Sequence, residues 1–172
     1  MSLQELAELE DLAVTTVLDV LRADVDLLAV VGARDIGATE LLELVPEEYS
    51  DTCIQVKDPS LDFNAQEHRS KTAENPSILL DVYIYKLIYT SKPGATIVGT
   101  AAEKGLSFLT RLVLKTFLKE EARSYFASKG FYWVLPVNIV TSQPVPIADS
   151  DEDISLLACK TLVMELRKRI TY

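Results

Sequence analysis

The segment Ser77–Thr90 constrains the fold most, because it is the strongest strand candidate in the chain and is apolar on both faces. Successive side chains of a strand point to opposite faces, so residues two apart share a face. One predicted face carries Ile78, Leu80, Val82, Ile84 and Ile88, and the other carries Tyr83, Tyr85, Leu87 and Tyr89. Neither face of such a strand is simply exposed to solvent, which indicates packing on both sides of the sheet.

Six further elements are predicted around this strand. Helical periodicity and capping residues indicate helices over residues 3–22, in a short segment capped by Asp24, and from Thr100 to about Glu120. Strand composition indicates strands over Thr52–Val56, Phe131–Thr141 and Ile154–Leu166. Pro136 is compatible with its strand only at a sheet edge or a bulge. The order of these elements along the chain lacks an alternating strand–helix–strand repeat. We therefore predict an α+β fold: a mostly antiparallel four-stranded sheet packed against one long helix, with N-terminal helices.

The length of 172 residues fits one domain, spanning 1–172, better than two. Within it we predict an N-terminal helical segment over 3–45 and a sheet-plus-helix core over 50–172. The core includes a mostly polar loop over 57–76, a length that marks either a functional loop or a disordered one. Its large apolar residues Leu61 and Phe63 are the expected anchors for a partner. Polar contacts are expected from Glu67, His68, Arg69 and Lys71.

The charge balance argues against several classes of partner. The chain has 17 Lys and Arg against 26 Asp and Glu, a formal net charge of −9. General nucleic-acid binding needs a cationic surface that displaces counterions from phosphates, so it is not expected here. The N-terminus has no cationic leader and the apolar runs are too short to span a bilayer. We therefore expect synthesis in the cytoplasm and no membrane association.

The sequence contains no recognisable catalytic motif, and no catalytic, cofactor-binding or metal-binding residue is predicted. His68 is the only histidine, and Cys53 and Cys159 fall in predicted strands, where cysteine behaves as a small hydrophobic residue. The acidic run 149–153 lacks the glycine and the terminal glutamate of a calcium-binding loop. The pattern suits a protein that functions by assembly. A small cytosolic enzyme with a carboxylate site around Asp149–Asp153 stays open as the alternative.

The stretch Val17–Ile36 resembles the opening of the tail-completion and tail-terminator proteins of long-tailed bacteriophages. That family begins with a helix, a Leu-x-Ala-Asp break, a short Leu-x-x-Leu-Val-Gly helix, and then x-Arg-Ile and the first strand. Leu21-Arg22-Ala23-Asp24 matches the break, whereas Asp35 departs from the pattern by standing between Arg34 and Ile36. The order of the remaining elements is also similar, although residues 38–50 and 57–76 are longer than the family pattern.

The resemblance implies a structural virion protein of the tail or neck. Such a protein forms a homomeric ring, usually a hexamer, that caps the tail tube protein and joins it to the head–tail connector, while genomic DNA only passes through the lumen. A head-side adaptor or closure protein of the neck is the alternative within this class. In this role we expect subunit or partner contacts from Tyr83, Tyr85 and Tyr89 on the second sheet face. Further contacts are expected from Arg167 and Arg169 at the basic C-terminal tip.

Overall fold

The computed structural model describes residues 3–39, 52–57, 60–62, 73–74, 77–89, 104–142, 145–147, 155–168 and 170–171. The helices are α1 (Leu3–Ala23), α2 (Val25–Leu28), α3 (Leu106–Leu118) and α4 (Glu120–Ser128), with a 3-10 turn over Ala33–Asp35. The strands are β1 (Ile36–Thr39), β2 (Thr52–Lys57), β3 (Ser60–Asp62), β4 (Ala73–Glu74), β5 (Ser77–Tyr89), β6 (Phe131–Thr141), β7 (Val145–Ile147), β8 (Ser155–Lys168) and β9 (Ile170–Thr171).

The main sheet is built on β5, whose whole length pairs antiparallel with β8. Its strand order is β1-β2-β5-β8-β6, with β3 also pairing with β5 and β7 with β8. The β1–β2 pair is parallel and the other pairs are antiparallel. The short β4–β9 pair keeps the register of β5–β8, because Glu74 lies opposite Ile170 just as Ser77 lies opposite Arg167. The β4–β9 pair is a separate two-stranded sheet in that same register.

The helices pack on one face of this sheet and enclose the main hydrophobic core. Alternate residues of β5, namely Ile78, Leu80, Val82 and Ile84, have no solvent-exposed surface. The residues at three- and four-residue spacing along α3, namely Leu106, Leu109, Val113 and Phe117, are buried in the same core. The α+β class is therefore confirmed. Both element types contribute their apolar faces to one core, which is the main source of stability for such a domain.

The predicted four-stranded antiparallel sheet is not confirmed, because the sheet has seven strands and is mixed. β1 lies inside the segment 3–45, for which the sequence predicts helix, and it pairs in parallel with β2. β3 and β4 lie inside the predicted loop 57–76. β2 pairs with β5 only over residues 82–86, and β3 supplies backbone partners for residues 77–79, where unpaired donors and acceptors would be costly.

The single long helix predicted from Thr100 is replaced by α3 and α4. α3 begins after Gly105, which has no side chain to cap the helix. Lys119 separates the two helices and has an extended backbone with ψ 146°. The predicted capping residues 100–103 lie outside the described residues. Because Lys119 has a non-helical ψ, the hydrogen-bond ladder of α3 cannot run on into α4. None of the helices in the described part of the chain is long and apolar enough to span a membrane.

Candidate interaction surfaces

The sheet face opposite the helices, which we call the outer face, carries a second and smaller apolar cluster. Cys53 of β2 and Cys159 of β8 both lie beside Tyr85 of β5 in the ladder, and all three side chains are buried. Tyr83 stacks on Tyr85 with ring centroids 5.8 Å apart and an angle of 13° between the ring planes. Leu157 packs against the same group. Every member of this cluster comes from a strand.

The thiols of the outer face are suited to packing and not to chemistry. Burial, with a smaller contribution from Asp35, raises the pKa of Cys53 to about 12, and burial also raises the pKa of Cys159. Both cysteines are free. They occupy strands on either side of β5, about 10 Å apart, which is too far for a disulfide. Protonated thiols in an apolar setting are poor nucleophiles, so these residues act as small hydrophobic side chains.

An ion-pair network lies near the other end of the outer face. Nε and Nη2 of Arg167 each lie 2.9 Å from Oε1 of Glu165, and the Ser77 hydroxyl donates to the same oxygen at 2.5 Å. By ladder position these residues share the face of Tyr83. The structure therefore places three of the predicted contact residues on one sheet face, with Tyr83 and Tyr85 in contact and Arg167 near the other end. The guanidinium of Arg167 is already paired within the chain.

The other predicted contact residues are distributed differently. Leu61 lies in β3 opposite Ile78, and Tyr89 ends β5 opposite Ser155. The remaining ones, together with the acidic run considered for an enzyme, lie outside the described residues: Phe63, Glu67, His68, Arg69, Lys71, Arg169 and 149–153. Within the described ranges, no group of three or more His, Cys, Asp or Glu side chains is arranged to hold a metal ion.

Sequence reasoning misses an exposed apolar surface on β6, the outermost strand beside β8. Val137 is 52% exposed, and Ile139 and Val140 are each 45% exposed. Ile139 lies on the face of Leu162 and Val140 on the opposite face beside Thr161, so these residues line both sides of the sheet edge, which we call the β6 surface. A signal for it is present in the sequence, since residues 130–148 contain no Asp, Glu, Lys or Arg in a chain that is 25% charged. Edge strands that face solvent are usually protected by charged side chains, and this one is not.

The backbone of β6 is nevertheless poorly suited to pairing with a further strand. The register with β8 shifts between Pro136 and Asn138, which confirms that Pro136 lies at both an edge and a bulge. The Asn138 side chain accepts a hydrogen bond from the Ile139 N–H at 2.8 Å. Pro136 has no N–H to donate, and the N–H of Ile139 is taken by the Asn138 side chain. The side chains of the β6 surface are therefore more available to a partner than its backbone.

A cleft of about 830 Å³ is the second feature that the sequence does not reveal. We call it the helical cleft, because α1, α2 and the junction of α3 with α4 enclose it. Its apolar walls come from Val20, Ala23, Val25, Ala122 and the ring of Tyr125. Its polar lining comes from Asp19, Asp24, Thr116, Lys119 and Glu121. Val25 is 78% exposed, so an apolar side chain stands open to solvent at this site.

Asp24 and Lys119 of the helical cleft are bonded to each other, to Asp26 and to backbone N–H groups of α2. The Asp24 carboxylate caps α2 by accepting from the Asp26 and Leu27 N–H groups at 2.9 and 3.2 Å. Nζ of Lys119 lies 2.8 Å from Asp24 Oδ1 and 2.9 Å from Asp26 Oδ2. Burial acts to raise the pKa of Asp24, but the hydrogen bonds from Lys119, Thr116 and Leu27 outweigh it and lower that pKa below its ordinary value. Asp24 is thus held as a structural anion.

Comparison with known proteins adds no further assignment. No protein-family model matches the chain, and no curated protein sequence matches it.

Proposed function

We propose that this chain is a structural virion protein of a tailed-phage neck, a tail-terminator ring subunit that caps the tail tube and joins it to the head connector. The observation that supports the proposal is the arrangement of the segment 17–36, on which the family resemblance rests. α1 ends at Ala23, Asp24 caps α2, and β1 starts at Ile36, which is the order of helix, break, short helix and strand in that family.

The residues of this segment have structural roles that fit a shared scaffold. Arg22, next to the break, donates from Nε and Nη2 to the Ile36 carbonyl at 3.0 and 2.5 Å, which ties the end of α1 to the start of β1. Asp24 at the break binds Lys119 at the junction of α3 with α4. These contacts fix how the N-terminal helices meet the sheet. Such a structural role would account for the recurrence of the same residues in proteins that share the fold.

The charge of the chain is compatible with a channel for DNA. A net charge of −9 gives the subunit a negative field, which repels the phosphate backbone instead of binding it. A ring of such subunits would let the duplex pass through its lumen without retaining it.

The test is the assembly state of the purified protein, followed by binding to neck components. Mass photometry should find a closed oligomer, with a hexamer at six times the 19.1 kDa subunit mass, and negative-stain images should show rings. The rings should then co-sediment with purified tail tubes. Binding to the head connector but not to tubes would favour the head-side adaptor. A monomer at tens of micromolar that also ignores both partners would overturn the proposal.

A further inference from the structure

We infer that the helical cleft binds a small organic cation, in which an ammonium group is joined to an apolar body. The site lies within one subunit, so it goes beyond the proposed role in assembly and does not depend on a ring. The cleft volume of about 830 Å³ is within the range of small-molecule sites, which combine apolar walls with a few polar groups. The cleft therefore has the size and the wall composition of a ligand site.

The carboxylates of the cleft outnumber its basic groups. Among its described lining residues, Asp19, Asp24 and Glu121 are acidic and Lys119 is basic. Lys119 is already engaged, because its Nζ lies 2.7 Å from Oδ2 of Asp24 and 2.9 Å from Oδ2 of Asp26. Neither Asp19 nor Glu121 forms an ion pair within the part of the chain that the structure describes. These two carboxylates leave the lining with uncompensated negative charge, which attracts a cation.

The two unpaired carboxylates flank an aromatic ring. The Tyr125 hydroxyl donates to Oδ2 of Asp19 at 2.7 Å, and Glu121 lies one turn before Tyr125 on the same side of α4. The face of an aromatic ring attracts a cation that lies within about 6 Å of the ring centroid. The Tyr125 ring already holds one such group, since Nζ of Lys129 lies 5.1 Å from its centroid. Carboxylates beside an aromatic ring suit an ammonium group and disfavour an anionic ligand.

The apolar part of the ligand packs at the end of α1. Val20 and Ala23 belong to the last turn of α1, and Val25, which is 78% exposed, follows the break. Covering the Val25 side chain removes apolar surface from water. The end of α1 adds to the preference for a cation, because the last carbonyl groups of a helix carry the negative end of its dipole.

The first test compares probes of matched shape. Phenethylamine has an aromatic body and is an ammonium ion at about pH 7. Titrated into nitrogen-15-labelled protein, it should shift the amide resonances of Ala23, Val25 and Ala122 with a dissociation constant on the order of 1 mM. Phenylpropionate has a similar body with the opposite charge, and methylammonium has the charge without the body. Each should bind at least about tenfold more weakly, and equal binding of either one would overturn the inference.

The second test compares two variants in the first turn of α4. Glu121→Gln removes a lining carboxylate and keeps the shape of the side chain, so it should weaken phenethylamine binding about three- to fivefold. Glu120→Gln is the matched control, because Glu120 is exposed in the same turn and is not among the described lining residues. It should bind phenethylamine as the wild type does, and both variants should keep the wild-type melting midpoint. Equal binding by the two variants would overturn the inference. Asp19→Asn should weaken binding to an extent similar to Glu121→Gln.

A lysine side chain of another protein would carry the same ammonium chemistry, so a third probe separates the two sources. N-acetyl-lysine methylamide presents a lysine side chain on a peptide backbone. If it binds more tightly than phenethylamine, the cleft is a protein contact and the assignment of a small-molecule ligand is overturned. Failure of any of these tests leaves the proposed function standing, because rings are detected without a ligand. A protein that forms no rings would still give all three measurements.

Discussion

Nζ of Lys119 lies 2.8 Å from Oδ1 of Asp24, although 95 residues separate them along the chain. Asp24 ends the break between α1 and α2, and Lys119 forms the break between α3 and α4, so one ion pair joins the two helix interruptions. Both residues line the helical cleft. The same contact therefore fixes the angle at which the helix pairs meet and shapes the cleft between them.

The first prediction concerns the pH dependence of this ion pair. The pKa of Asp24 is lowered from its ordinary value of 3.8, so the folded state favours the anion more than the unfolded state does. The resulting stabilisation is fully present above about pH 4 and is lost as the pH falls through the folded-state pKa. Asp24→Asn keeps a capping side chain but removes the charge, so it should lower the urea midpoint at about pH 7.

The control for this prediction is the same pair of proteins at about pH 3, below the ordinary pKa of 3.8 for an Asp carboxyl, where less of the stabilisation from the anion remains than at about pH 7. The difference between the wild-type and Asp24→Asn midpoints should therefore be smaller there. A difference that stays constant between the two pH values would show that the charge of Asp24 does not contribute to stability.

The second prediction compares two leucines of α3. Leu109 is completely buried against the sheet, whereas Leu118 is 48% exposed at the end of the helix. Leu109→Ala removes core packing and leaves a cavity, so it should cost about 2–5 kcal/mol in unfolding free energy. Leu118→Ala should change it by about 0.5 kcal/mol or less. Urea denaturation measures both, and equal losses would mean that the buried face of α3 is wrongly assigned.

The third prediction compares two glycines. Gly130 follows the C-cap of α4 with φ +87°, and its N–H donates to the Ala127 carbonyl at 2.9 Å. Side chains are disfavoured at this φ, so Gly130→Ala should destabilise the protein by about 1–2 kcal/mol. Gly37 lies in β1, and a methyl group added there would meet no atom within 4 Å, so Gly37→Ala should be neutral or stabilising. Thermal melts of both variants check the contrast, and a neutral Gly130→Ala would contradict it.

The fourth prediction concerns thiol reactivity on the outer face. Burial raises the pKa of Cys53 to about 12, and Cys159 is also buried with a raised pKa. The native protein should therefore react with Ellman's reagent far more slowly than the unfolded protein, which should release two equivalents of product. Val140→Cys places a thiol at a position that is 45% exposed and serves as the reactive control. Rapid labelling of native Cys53 would show that the apolar cluster opens readily.

Sequence reasoning identifies the elements whose own periodicity is strong. α1, β5 and β6 begin and end within two residues of the predicted bounds, and the buried positions of α3 follow from spacing alone. The candidate surfaces are less accessible to such reasoning. Tyr83 and Tyr85 lie on one face because alternation along a strand fixes the face of each side chain, whereas Arg167 shares that face only through the register of β8 with β5. The helical cleft is missed because its walls come from elements that are far apart in the chain.

Two features can be predicted from the sequence without any tertiary context: the apolar stripe on each long helix and the strand β5 with apolar residues on both faces. These follow from short-range periodicity, since a repeat of two or of three to four residues leaves a helix or strand only one way to bury its apolar side chains. Three features depend on long-range packing. β1 pairs in parallel with β2, β3 pairs with the part of β5 that β2 does not reach, and the helix is interrupted at Lys119. Each of these depends on a partner brought close by folding: a strand edge with unpaired backbone groups, or the carboxylate of Asp24.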